Sequence, residues 1–127
     1  MKTEDKVYLI AKAACDKKAD DIVIMDMQQP SQMCDFFIIA SGSSARQVRA
    51  ISDNIEENTR QQGIKNIHIE GYEEGSWILL DLHDVVVHIF MRETREFYDL
   101  ERLWADSPRT RFDPASAELP TYVGEDE

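Results

Sequence analysis

Residues 75–90 read GSWILLDLHDVVVHIF, the most hydrophobic stretch of a chain that is otherwise acidic. Two short apolar runs, Trp77–Asp81 and Val85–Phe90, flank the polar sequence Asp81-Leu82-His83-Asp84, the pattern of an antiparallel hairpin. Side chains alternate across a strand, so the hairpin sorts into two faces. With the turn centred between Leu82 and His83, Leu80 falls opposite Val85 and Ile78 opposite Val87. One face is then Ile78, Leu80, Val85, Val87 and Ile89, wholly aliphatic and suited to a core. The other holds Trp77, Leu79, Asp81, Asp84, Val86, His88 and Phe90. A sheet face turned to water is mostly polar, and one covered by a helix is mostly aliphatic. Aromatic anchors mixed with carboxylates and an imidazole fit a protein–protein contact patch. Cover by the first or last helix of the chain is the competing reading. The parity holds for an even-length turn, such as a four-residue Asp81–Asp84 loop, and fails at a bulge.

The rest of the chain supplies the layers this hairpin needs. Val7, Ile10, Ala11 and Ala14 are spaced as one face of a helix over Thr3–Lys18, with Thr3 as its N-cap. Ile22–Met27 and Asp35–Ala40 read as strands joined by a connector over Gln28–Met33. Ser41–Ser44 (SGSS) leads into a helix over Ala45–Gln62, where Ser44 and Gln47 form a capping box. Val48, Ile51 and Ile55 are its buried stripe, and Gly63 stands where a left-handed C-terminal cap belongs. Ile67–Glu70 is a short strand, and Gly71–Ser76 is turn-rich. A last helix over Glu93–Ala105 is expected to bury Phe97, Leu100, Leu103 and Trp104. The order helix-strand-strand-helix-strand-strand-strand-helix predicts a single α+β domain over residues 1–105, with a mixed sheet of about five strands flanked by helices. Residues 106–127 hold three of the four prolines and six acids against two bases, and are expected to form a disordered acidic tail.

Charge and length narrow the function. The chain has 127 residues, enough for a core without disulfides or metal. Its 25 acids against 14 bases give a net charge of −11. A positive field for phosphate is missing, so a dedicated nucleic-acid site is not expected and a basic protein partner suits better. Without a signal peptide or an apolar run near 18 residues, a cytoplasmic location is expected. Cys15 and Cys34 match no metal or redox spacing and read as buried small hydrophobes.

Catalytic readings are weaker. Asp81, His83 and Asp84 could ligate a metal, but they show no recognised ligand spacing, and aspartates at hairpin turns commonly bond the local backbone. SGSS could present backbone N–H groups to a phosphate, with Glu70 as a carboxylate, in a residual nucleotidyltransferase. It lacks the Walker lysine, however, and Ser44 is already explained as a cap. For nucleophilic catalysis Cys15, Cys34 or Ser41 would each need an oriented base, and none is evident. No cofactor and no metal are expected. Arg46 and Arg49 read as a solvated helix face.

Three ordered blocks carry a resemblance: CDFFIIASGSSARQVRAISDNIEE (34–57), EGYEEGSWILLDLHDVVVHIF (70–90) and REFYDLERLWAD (95–106). With DDIVIMDM they make residues 3–106 similar to the ribosomal silencing factor (RsfS, or Iojap-like) family. The resemblance implies a nucleotidyltransferase-like fold without enzymatic activity. It further implies binding to the fourteenth protein of the large ribosomal subunit, which obstructs subunit joining and represses translation when nutrients are scarce, and frequent homodimers. In the hairpin Trp77, Leu80, Asp81, Asp84, Val87, His88 and Phe90 match the family, whose turn usually reads Asp-Tyr-Gly-Asp where this chain has Leu82-His83 at the centre. The expected partner-binding face is thus Trp77, as buried anchor, with Leu79, Val86 and Phe90 as apolar support. Asp81 and Asp84 would pair with basic residues, and His88 would hydrogen-bond.

Overall fold

The computed structural model describes residues 1–28 and 34–114. Helix α1 (Thr3–Asp16) is followed by β1 (Asp20–Asp26), β2 (Phe36–Gly42), α2 (Ala45–Gln61), β3 (His68–Glu70), β4 (Trp77–Asp81) and β5 (Val85–Met91). Short helices α3 (Arg92–Tyr98) and α4 (Leu100–Leu103) and strand β6 (Arg109–Arg111) complete the described chain. The sheet has the order β3-β4-β5-β2-β1-β6. Only the central β2–β5 pair among these is parallel, Phe36 lying beside Val85 and Gly42 beside Met91, so the sheet is mixed, flanked by helices. A parallel pair needs a crossover, and α2, β3 and β4 provide it.

β2 is buried along its whole length. It has a strand on each edge and cover on both faces, which is why its sequence shows a continuous apolar run rather than alternation. α1 and α2 lie on one side of the sheet, and Val7, Ile10, Val48, Ile51 and Ile55 meet Ile24, Ile38 and the hairpin's aliphatic face there. Ile78, Leu80, Val85, Val87 and Ile89 are fully buried, joined by Leu82.

The turn sits one residue further along than the sequence suggests, which moves each strand partner by two. Leu80 faces Val87, Ile78 faces Ile89, and the chain reverses at His83-Asp84, closed by the Leu82 N–H to the Val85 carbonyl at 2.9 Å. A shift of two preserves parity, so the two strand faces keep their membership. His83 takes the left-handed conformation, φ 76°, which the reversal requires and which glycine adopts at less cost.

Other expectations change in detail. The residue capping α1 is Lys2, without a side-chain bond, because the Thr3 hydroxyl instead donates to Asp84 Oδ2 at 2.8 Å. Ser44 caps α2 by accepting from the Gln47 N–H at 3.1 Å, but Gln47 Oε1 returns its bond to the Ser43 N–H, 2.7 Å, not to Ser44. Gly63 has the left-handed φ of 84°. The expected last helix is broken: Asp99 adopts φ 50° between α3 and α4, and the stripe divides. Leu100 and Trp104 pack inward, whereas Phe97 is 79% and Leu103 70% exposed.

The domain does not stop at residue 105. β6 adds a sixth strand, pairing Thr110 with Ile24 and Arg111 with Val23. Phe112 is buried and sets its ring against Tyr8 of α1, centroids 5.9 Å apart. Three-residue β6 offers only Thr110 between two arginines, which left no strand pattern to read. The remaining tail, 115–127, lies outside the described residues, as does the connector apart from Gln28.

Candidate functional site

The second face of the hairpin is built around a ring stack. Trp77 lies across from Phe90 in the β4–β5 register, with centroids 4.9 Å apart and planes tilted 31°. Its indole Nε1–H donates to His88 Nδ1 at 3.1 Å. His88 also meets the edge of Phe37 at 4.7 Å and stacks over Phe90 at 6.2 Å. Phe90 is fully buried and His88 5% exposed. Burial pushes the His88 pKa down to about 4, so the ring is neutral. Because Nδ1 accepts from Trp77, its proton sits on Nε2.

The cover comes from the broken last helix. Leu100 and Trp104 join Val23, Met25, Phe37 and Ile39 in a second hydrophobic cluster beneath which Phe90 disappears, with Trp104 edge-on to Phe37 at 6.3 Å. The face is therefore divided, and cover by the last helix accounts for only one half of it. Toward β2 and β1 it is roofed. Toward β4 it stays open, and Trp77, Leu79, Asp81 and Val86 are each half-buried there.

Asp84 is placed elsewhere. Parity assigned it to this face, but as a turn residue it escapes strand alternation and reaches α1. Lys6 Nζ lies 2.6 Å from Oδ1, and Thr3 donates to Oδ2. Desolvation raises the Asp84 pKa, yet the bonds from Lys6 and Thr3 outweigh it and hold the carboxyl below its usual range. Of the seven expected contact residues, four remain accessible at the surface, His88 and Phe90 lie under them, and Asp84 ties the hairpin to α1. Asp81 accepts the His83 N–H at 2.9 Å, the local turn bond that aspartates at such positions make.

The residues weighed for chemistry do not converge. Among the described residues no group of three His, Cys, Asp or Glu could hold a metal ion. In SGSS, Ser44 is engaged at the helix N-terminus, and Ser43 donates both its N–H and its hydroxyl to Gln47. Ser41 accepts from Arg95 Nη1 at 2.7 Å. Arg95, itself buried, also donates to the Asp21 carbonyl and to Glu101. Glu70 sits on the far edge strand, with β4 and β5 between it and β2, and pairs with His68 at 2.7 Å. Cys15 and Cys34 are free, and burial pushes the Cys34 thiol up to about 11. Arg49 donates to the Glu73 carbonyl at 3.1 Å, and Arg46 is exposed.

The sequence reading missed two surface residues. Tyr98, half exposed, stacks against Trp77 with centroids 4.8 Å apart, and Phe97 meets Tyr98 edge-on at 5.0 Å. They extend the open half of the face onto α3. The signal was present: adjacent aromatics cannot both lie on one helical stripe, and Asp99 interrupts the stripe where the chain turns.

A mixed six-stranded α+β sheet with one sealed side, and one side left partly open around a tryptophan, defines a small domain type seen in solved structures. A crystal structure from Bacillus halodurans superposes with a TM-score of 0.76 at 40% identity, covering 87% of this chain and all of that one. One from Chromobacterium violaceum gives 0.81 at 29% identity, over 97% of this chain and 93% of that one. The chain belongs to the ribosomal silencing factor family: the family model described as "Ribosomal silencing factor during starvation" matches residues 1–125. Ribosomal silencing factor RsfS of Bacillus subtilis is 42% identical over 111 residues, covering 87% of this chain and 94% of the relative. Among the described residues, no helix is long and apolar enough to cross a membrane.

Proposed function

We propose that this chain represses translation without turnover, by docking on the large ribosomal subunit through its fourteenth protein and standing where the small subunit would join. Its place of action is the cytoplasm, and two copies associate through the same face when no ribosome is bound. Inhibition is steric: the bound domain fills space and uses no nucleotide, metal or cofactor.

The observation that carries this reading is the open half of the hairpin's second face. Trp77 is held in orientation by His88 and backed by Phe90, with Leu79 next along β4 and the Asp81–Val86 pair at the turn end of the face. A rigid aromatic flanked by aliphatics and a carboxylate is the makeup of an interface hot spot, and the chain's charge of −11 favours a basic partner. Family membership supports the choice of the ribosome as that partner.

Cosedimentation of the Trp77→Ala protein with large ribosomal subunits tests it. The substitution is expected to weaken binding by about 2–4 kcal/mol. A folded variant that pellets with subunits as the parent does would remove Trp77, and with it this face, from the proposal.

A further inference from the structure

The open face continues into a groove of about 620 Å³ between the start of β4 and α3, and its lining is unusual. Trp77, Phe97 and Tyr98 supply its aromatic wall, while among the described residues its charged liners are Glu74 and Glu93. Phe97 is 79% and Tyr98 50% exposed, a large apolar area to leave facing water. Among the described residues, neither carboxylate has a hydrogen-bond or ion-pair partner. The chain's own nearby cations are held elsewhere. Arg92 pairs with Asp20, Arg95 is buried with Glu101 and Ser41, and Arg49 donates to the Glu73 carbonyl.

We infer that this groove receives a cationic side chain, arginine or lysine, projecting from the basic ribosomal protein. The inference rests on the functional reading above and names the chemistry that the α3 side of that surface takes. Ring faces attract a cation through their quadrupole within about 6 Å of the centroid. An arginine plane additionally stacks on such rings while its fork reaches a carboxylate. Phe97 and Tyr98 are the exposed rings of the wall and present their surface to the incoming side chain, Trp77 backs Tyr98, and Glu74 and Glu93 supply the counter-charge. The same carboxylates would repel a nucleic-acid phosphate, which favours a protein over RNA as the occupant.

The test measures binding of the full chain to isolated large ribosomal subunits across a salt series. Its arms are the parent, Phe97→Ala, Glu93→Arg and a control, Glu57→Arg, which makes the same charge change at an exposed position on α2. Because Phe97 and Glu93 are exposed, thermal unfolding is expected to be unchanged in each, so folding does not confound the result. Phe97→Ala and Glu93→Arg should each weaken binding about tenfold, the loss at Glu93 shrinking as salt rises. The control should stay within about twofold. If the parent binds and both groove variants bind within about twofold of it, the groove inference is overturned while the ribosomal reading stands. Failure of the parent itself to bind removes that reading, and the groove inference with it.

Discussion

His88 organises the open face from a position that scarcely reaches solvent. Its Nδ1 fixes the Trp77 indole, and its Nε2 is buried among rings, without a hydrogen-bond partner among the described residues. Protonating the ring would break the Trp77 bond and place a cation between Phe37 and Phe90. Burial, which disfavours the charged ring, holds its pKa near 4, well below the ordinary 6.5. Between those two values the unfolded chain binds a proton that the folded chain refuses. The stabilisation is therefore complete above the ordinary value and is lost as pH falls toward the lower one, by up to about 3 kcal/mol. Urea unfolding followed from neutrality down to about pH 4 should show this loss. The His88→Gln protein, which can still accept from Trp77, should show a flatter dependence. Strand alternation alone placed His88 on the same face as Trp77 and Phe90. Its depth was not legible, because it depends on Leu100 and Trp104, which return over the face only after the chain has turned at Asp99.

Between elements, Lys6–Asp84 joins α1 to the β4–β5 turn. The Lys6 side chain is only 12% exposed, so removing its partner leaves a nearly buried ammonium. Asp84→Ala is expected to destabilise the fold by about 2 kcal/mol, measured by chemical denaturation. The folded fraction should still cosediment with large subunits, which separates a structural aspartate from a contact one; equal losses in both assays at low denaturant would place Asp84 back at the interface. The helices and strands were legible where one rule governed them: the stripe of α2, the alternation of β4 and β5, the unbroken run of β2. They were less so where a tertiary contact overrode the local rule. Thr3 left its capping role for Asp84, and Phe97 and Leu103 went to the surface when Asp99 broke the helix they were expected to share.

At the scale of the molecule, the sheet is closed by residues that looked like the beginning of a tail. β6 covers the free edge of β1, and Phe112 fills the space against Tyr8 beneath it. Phe112→Ala should cost about 3 kcal/mol by the loss of a buried ring, read as an earlier denaturation midpoint. An unchanged midpoint would mean the domain ends where composition first suggested. Residues 109–112 of that stretch belong to the fold because Ile24 and Val23 pair with them and Tyr8 receives Phe112, long-range contacts that composition does not carry. The parallel pairing at the centre of the sheet has a further consequence, in the order in which the molecule is made. Phe36 finds its neighbour at Val85, and Val23 finds its outer neighbour at Arg111. A chain emerging from a ribosome N-terminus first therefore carries β2 exposed, without its central partner, until the hairpin has followed it out. Non-local pairings of this kind form late and slowly, so β1 and β2 must stay unaggregated through most of synthesis. The surface centred on Trp77 comes into being with that same hairpin, and no nascent fragment shorter than it could present the face to a ribosome.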